Sequence, residues 1–189
     1  AIHLLDPTFW ALDLGGKVKV TSKGPKPNPF SGPKWMETRF QFGKRGKLAP
    51  VDVYWYEGEA KPKPEIAKEM PMNGSLFIGE KGRIAIQHGG NPVLLPKEKF
   101  ADFKPPEPFL PKSPGHHQQW IDACKTGSRT GSNFGYAGPF TEIVLLGNVA
   151  YRIGETIEYD PKSLKVTNIP RANELLGKTY RKGWGIEAV

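Results

Sequence analysis

The side chains best suited to proton transfer or metal binding in this chain are four histidines and one cysteine. His3 stands three residues before Asp6, a spacing that would place the imidazole and the carboxylate on one side of a helix. Histidine is the side chain whose titration lies closest to neutral pH, so His3, supported by Asp6, is the first candidate for acid/base chemistry. The alternative is a capping or packing histidine, which the spacing alone favours.

The other histidines do not form a recognisable metal-binding pattern. His116 and His117 are adjacent, so on a helix their side chains diverge by about 100° and cannot easily share an ion. Neither they nor His88 belong to a Cys/His or HExxH spacing, and no metal site is expected. We expect His116 and His117 to line the first turn of a helix, where they are the candidate substrate-binding residues. Cys124 is predicted to be a buried packing residue, and a single thiol excludes an internal disulfide without fixing the compartment.

The sequence carries no sign of a nucleotide, nucleic-acid or membrane site. The segment from Gly79 to Gly82 is too short for a dinucleotide fingerprint and lies between two predicted strands, so it predicts a turn. The formal charge of +8 comes from lysines scattered beside prolines, whereas a polyanion site needs a clustered basic stripe. No apolar run reaches the roughly 18 residues that a membrane span requires.

Most of the chain shows the alternating pattern of β-strands. Strands are predicted over 17–22, 34–42, 51–57, 75–78, 83–88, 92–95, 156–159 and 164–167. The alternation is clearest in 34–42, whose core-facing positions are Met36, Thr38, Phe40 and Phe42. One apolar face and one amphipathic face are typical of an antiparallel sheet that is covered on one side.

Two helices are expected to cover that sheet. The first is predicted to begin with Ser113 as N-cap and Pro114 at the first helical position, and to end at Gly127. Its apolar stripe consists of Trp120, Ile121 and Cys124.

The second helix is predicted to begin at Pro139 and to end at Gly154. Helical spacing gives it one apolar face made of Phe140, Ile143, Val144, Gly147 and Tyr151. That face is widened by Leu145, Leu146, Val149 and Ala150, so deep burial is expected.

Two shorter helices complete the prediction, one restarting at Asp6 and Pro7 and one running from Pro170 to Leu176. Residues 1–5 resemble the end of an element whose beginning is missing, which suggests a fragment of a longer protein. The fold class is therefore α+β, a mainly antiparallel open sheet of about six to eight strands with helices on one face. Residues 1–189 are expected to form a single domain.

The amphipathic sheet face is rich in aromatic residues, namely Trp35, Tyr54 and Tyr56. Flat rings of this kind can bind the apolar faces of sugars. They are also the usual anchors of protein interfaces, and an open sheet with an aromatic outer face favours the interface.

Several longer motifs resemble the C-terminal domain of the Gfo/Idh/MocA oxidoreductases, the family of glucose–fructose oxidoreductase and inositol dehydrogenase. They are HQQWIDACKTG, SNFGYAGPFTEIVLLGNVAYRIG and LKVTNIPRANELLGKTYRKGW, together with the opening HLLDPTFWAL and the turn GSLFIGEKG. The resemblance spans nearly the whole chain and is strongest to the bacterial-type branch.

The resemblance implies a two-domain enzyme, in which an N-terminal Rossmann domain binds NAD or NADP and supplies the lysine of a Glu-Lys-Pro motif. The C-terminal domain would contact a sugar or polyol and pack sheet against sheet in dimers or tetramers. His3 matches the acid/base histidine of the family's Asp-x-x-x-His stretch, whose aspartate would precede Ala1.

Because this sequence lacks the Rossmann domain, the resemblance implies that the chain alone binds no cofactor and is inactive. Its expected role is that of a substrate-binding and assembly domain. The parent enzyme would be an NAD(P)-dependent sugar or polyol dehydrogenase, and NAD-assisted glycoside hydrolysis is also compatible. The alternative is a free-standing carbohydrate-binding or protein-interaction module.

Overall fold

A computed structural model describes residues 2–185, which form an α+β fold with antiparallel sheets. The strands are β1 Val18–Lys23, β2 Trp35–Phe42, β3 Val51–Gly58, β4 Gly74–Ile78, β5 Arg83–Gln87, β6 Pro92–Leu95, β7 Ile157–Asp160 and β8 Lys165–Val166. The α-helices are α1 Ile2–Ala11, α2 Pro64–Ala67, α3 His116–Thr126 and α4 Phe134–Ile153, and short 3-10 helices cover Lys97–Phe100 and Pro170–Leu175. The predicted α+β class, the eight strand positions and the helix at Pro170 are confirmed.

The prediction of one sheet was wrong, because the strands form two. Five strands pair in the order β3-β2-β1-β7-β8, and three pair in the order β4-β5-β6. All the pairs between these strands are antiparallel. After β3 the chain leaves the large sheet through a proline-rich segment, residues 59–73, and the next three strands pair as a meander of their own. The large sheet therefore keeps β3 as an edge strand.

Helix α4 covers one face of the large sheet, as the sequence predicted. The alternation in β2 is confirmed, since every second residue from Met36 to Phe42 is buried. The buried residues of α4 are Phe140, Ile143, Leu146, Gly147, Val149, Ala150 and Tyr151. Leu145 was wrongly predicted to be buried, because it lies on the opposite side of the helix and is 53% exposed.

The predicted start of α4 was also wrong. The helix begins one turn and a half earlier, because the Asn133 carbonyl accepts hydrogen bonds from the backbone N–H groups of Tyr136 and Ala137. Pro139 therefore lies inside the helix. It removes only one backbone donor, and the residue four positions before it is Gly135, which has no side chain to add to the crowding around the proline ring. The end at Gly154, in the left-handed conformation, was predicted correctly.

Helix α1 is continuous through Pro7, so the predicted restart of a helix at Asp6 and Pro7 was wrong. The missing N–H of Pro7 would have bonded to the carbonyl of His3 in the first turn, where the loss of one bond is tolerated. Leu5 and Phe9 of α1 are buried against the sheet and α4. Ala1, which the prediction placed in the same element, lies outside the described residues, as do residues 186–189.

Helix α3 stands apart from the core, contrary to the prediction that it covers the sheet. It has no buried residue; Trp120 is 66% exposed and Cys124 is also exposed. The predicted Ser113 cap is displaced as well, because Gly115 is the N-cap and the Ser113 Oγ accepts a hydrogen bond from its N–H. The proline-rich segment 101–115 before α3 is exposed throughout and does not bring the helix onto the sheet. No helix within residues 2–185 is long and apolar enough to cross a membrane.

Candidate functional site

The imidazole of His3 lies exposed in the first turn of α1, beside a second histidine that comes from the small sheet. The rings of His3 and His88 meet edge to face, with centroids 5.6 Å apart and planes at 71°. His88 directly follows β5, where its backbone N–H bonds to the carbonyl of Asn73 at 2.8 Å. The Ser75 hydroxyl in β4 donates to the carbonyl of Leu4 at 2.6 Å and holds the small sheet against α1.

Asp6, the predicted support for His3, is engaged elsewhere. Its carboxylate accepts a hydrogen bond from the phenol of Tyr136 in α4, and no hydrogen bond joins Asp6 to His3. Burial, together with the bond to Asp6 and the charge of that carboxylate, raises the pKa of Tyr136 above its usual value. The Tyr136 ring also packs edge to face against Phe9 at 5.6 Å. Asp6 thus joins the first helix to the long helix α4, close to His3 along α1.

His116 and His117 occupy the first turn of α3, as predicted, and both are exposed. The predicted divergence of the two side chains was wrong, because their rings lie 4.0 Å apart and contact each other. They do not contact the pair formed by His3 and His88. Within the described part of the chain, no group of three or more His, Cys, Asp or Glu side chains is arranged to hold a metal ion.

Residues 2–185 contain no dinucleotide site of the Rossmann type. Such cofactors bind where a glycine-rich turn joins a parallel strand to a helix, with the pyrophosphate at the helix N-terminus. The strand pairs found here are antiparallel, and the segment Gly79 to Gly82 is the predicted turn between β4 and β5, closed by a bond from the Gly79 N–H to the Gly82 carbonyl at 2.9 Å.

The large sheet has a second face, which no helix within residues 2–185 covers, and we call it the outer face. It carries the aromatic residues Trp35, Tyr54 and Tyr56, and the last two rings stack at 6.4 Å. Two shallow depressions lie on it. The one of about 350 Å³ is lined by Trp35, Glu37, Glu59, Ala60 and Lys61. The one of about 260 Å³ is lined by Thr21, Lys23, Glu37, Arg39 and Tyr54. Glu37 lines both, so the depressions adjoin.

The charges on the outer face are largely paired within it. Arg39 Nη2 lies 2.6 Å from Asp52 Oδ2 and its guanidinium lies over the Tyr54 ring, 5.7 Å from the centroid. Lys19 bonds to Glu158 across β1 and β7 at 2.7 Å. Burial, followed by the charge of Glu37, raises the pKa of Tyr56. The outer face is therefore aromatic and amphipathic, with both signs of charge interspersed.

Sequence reasoning identified His3 but not the residues that surround it. His88 and Tyr136 are distant from His3 in the chain, and the contacts that bring them there cross between separate elements. The one local signal was the position of His88 at the end of a predicted strand. Comparison with protein-family models and with curated proteins gives no match to this chain, so the family resemblance rests on its sequence motifs alone.

Proposed function

We propose that this chain is the substrate-binding and assembly domain of an NAD- or NADP-dependent oxidoreductase that acts on sugars or polyols. The observation that carries the proposal is the exposed imidazole of His3, which makes no hydrogen bond to any residue in the range 2–185. Its nitrogens are therefore free to bind a ligand hydroxyl. The motifs that resemble the Gfo/Idh/MocA family assign the same residue to acid/base chemistry.

In this proposal His3 accepts the proton of the substrate hydroxyl as the alcohol is oxidised. The hydride acceptor would be the nicotinamide bound by an N-terminal Rossmann domain of the same polypeptide, since the described residues form no site of that type. This chain alone would bind substrate without turning it over. Asp6 would contribute indirectly, because its bond to Tyr136 fixes the orientation of α1.

The assembly role is supported by the outer face. Trp35, Tyr54 and Tyr56 are the residue types that anchor protein interfaces. Because acidic and basic groups alternate there, a second copy related by a two-fold axis could meet the same face without a large excess of one charge. We therefore expect the chain to self-associate through this sheet face, without nucleic acid or membrane as a partner.

The catalytic part is tested in the longer polypeptide that the proposal implies, which would carry a Rossmann domain. We expect that protein to bind NAD(H) or NADP(H) in calorimetry and this chain not to bind it. His3→Ala should lower kcat for polyol oxidation by about 10²-fold or more. Trp10→Ala is the matched control, because Trp10 is a 63% exposed residue on the same helix. Absence of nicotinamide binding by the longer protein, or full activity of His3→Ala, would contradict the proposal.

The assembly part is tested on this chain by sedimentation. Tyr54→Asp places a charge among the outer-face aromatics and should shift the protein from dimers or larger assemblies to monomers. Trp10→Asp is again the control and should leave the assembly unchanged. A wild-type chain that is monomeric at all concentrations would exclude association through the outer face.

A second candidate function is a free-standing carbohydrate-binding module. It is favoured by the depression of about 350 Å³ beside Trp35, where Glu37, Glu59 and Lys61 surround a flat ring with polar groups. The two functions make opposite predictions for sugar binding by this chain. Trp35→Ala should abolish binding in the module, whereas His3→Ala should weaken it in the oxidoreductase domain.

A further inference from the structure

The pair formed by His3 and His88 differs from an ordinary packing contact. Packed histidines are normally buried with their nitrogens bonded, whereas both of these residues are exposed. Neither imidazole donates or accepts a hydrogen bond within the described residues, although His88 is held through its backbone N–H. Two rings with unbonded nitrogens thus meet at the surface.

The edge-to-face arrangement leaves at least one of the two rings with both nitrogens unobstructed. In such a contact the edge of one ring meets the face of the other, so the ring contacted on its face keeps both nitrogens at its free rim. A neutral imidazole offers one donor and one acceptor. The pair therefore offers hydrogen-bond donors and acceptors to a ligand whose hydroxyls can both accept and donate.

The pair is also fixed before any ligand arrives. His3 is held by α1, and His88 is held by the ladder bond to Asn73 at the end of β5. The bond from Ser75 to the Leu4 carbonyl joins the two elements next to the histidines. Binding would not have to order these backbones, which lowers the entropic cost of association.

We infer that His88 is a second substrate-binding residue, which acts with His3 to bind two neighbouring hydroxyls of one polyol. Nitrogens on two rings whose centroids are 5.6 Å apart can be bridged by a vicinal diol, each hydroxyl making a hydrogen bond of about 2.8 Å. The site would then select a vicinal diol over an isolated alcohol. This inference rests on the proposed function for its ligand class, a polyol hydroxyl at His3.

The test uses this chain with labelled histidine rings, whose four signals are assigned by single substitutions. The probes are cis-1,2-cyclohexanediol and, as the isolated alcohol, cyclohexanol. We expect the diol to shift the His3 and His88 signals together with one Kd. His88→Phe keeps an aromatic ring against His3 but removes both nitrogens, and should weaken diol binding about tenfold, the equivalent of one lost hydrogen bond.

The weak binding of cyclohexanol should be the same in the wild type and in His88→Phe, because the alcohol uses only His3. His88→Gln keeps a donor and an acceptor and should bind the diol within about threefold of the wild type. Gln87→Phe is the matched control, since it adds the same ring to the neighbouring exposed residue and should leave diol binding unchanged.

The outcomes separate the two proposals. If His88→Phe binds the diol as the wild type does while the His3 signal still shifts, the two-histidine site is refuted and His3 remains a substrate contact. If neither probe shifts His3, the two-histidine site and the proposed role of His3 both fail. If His88→Phe does not fold, the wild-type titration with the diol still tests the role of His88. A shift of the His3 signal without a shift of the His88 signal would refute that role.

Discussion

Two hydroxyls beneath α4, that of the half-buried Ser22 and that of the buried Thr38, give a sharp test of how the long helix is held on the sheet. The Ser22 hydroxyl donates to the Gly147 carbonyl at 2.8 Å, so its proton is committed to that bond. The contact of 2.8 Å between Ser22 Oγ and Thr38 Oγ1 must therefore have Thr38 as donor. Thr38 is only 1% exposed, and a Cβ at Gly147 would lie 3.3 Å from two of its atoms. Helix α4 and the sheet therefore pack closely here, around the hydrogen-bonded hydroxyls of Ser22 and Thr38.

Because Thr38 donates to Ser22 and Ser22 donates to Gly147, removing one hydroxyl or the other should cost different amounts of stability. Ser22→Ala removes the central hydroxyl and leaves the Thr38 hydroxyl buried without a partner, which should cost about 1–3 kcal/mol of unfolding free energy. Thr38→Val removes only the terminal donor and keeps the volume, so it should cost about 1 kcal/mol or less. The double variant leaves no unpaired hydroxyl on Thr38. Its cost should fall below the sum of the single costs by about 1 kcal/mol.

Urea unfolding of the four proteins measures these differences, provided that the m value stays constant. The hydroxyls of Thr21 and Thr156 form a matched pair on the outer side of the same sheet, 2.7 Å apart but exposed. Thr21→Val should therefore change stability by less than about 0.5 kcal/mol. The reasoning is refuted if Ser22→Ala and Thr38→Val are additive, or if Thr21→Val costs as much as Ser22→Ala.

Two further predictions concern stability. Burial, followed by hydrogen bonding to Asp6 and to Glu142, raises the pKa values of Tyr136 and Tyr159 in the folded protein. The stabilisation from these phenols is complete below the usual tyrosine pKa of about 10 and is lost as the pH rises above it. In an absorbance titration of phenolate, at least two of the six phenols should titrate above the usual tyrosine pKa. A titration in which no phenol of the still-folded protein does so would contradict this. The side-chain amide of Asn173 accepts a hydrogen bond from the Val166 N–H and donates one to the Val166 carbonyl, each at 2.9 Å. It thus pairs with the backbone of Val166 as a neighbouring strand would. Asn173→Ala should cost about 1–3 kcal/mol in urea unfolding, whereas the exposed neighbour Glu174→Ala should cost almost nothing.

The parts of the fold that the sequence predicted well depend on local pattern. The alternation in β2 and the end of α4 at Gly154 are set by residues within one element, and both are confirmed. Proline misled the prediction at both Pro7 and Pro139, because a proline in the first two turns is compatible with either a start or an interior position. The division into two sheets depends on which distant strands pair, and alternation does not contain that information.

The same distinction between local pattern and long-range packing applies to the candidate site. His3 could be selected because its residue type and its spacing to Asp6 are visible in the sequence. Its contact with His88 depends on how the small sheet docks onto α1 through Ser75, and the bond that engages Asp6 comes from a residue 130 positions away. A sequence pattern can therefore name one member of such a site, while the partners come from packing between elements.

The failed burial predictions have a physical meaning of their own. Helix α3 carries an apolar stripe, yet within the described residues nothing covers Trp120, and an isolated helix of 11 residues is marginal in water. The outer sheet face exposes Tyr54, which the sequence had predicted to lie on that side. In the proposed function the charge-balanced outer face meets a second copy of the chain. The apolar stripe of α3, which the sequence wrongly placed against the sheet, would be covered by another part of that assembly.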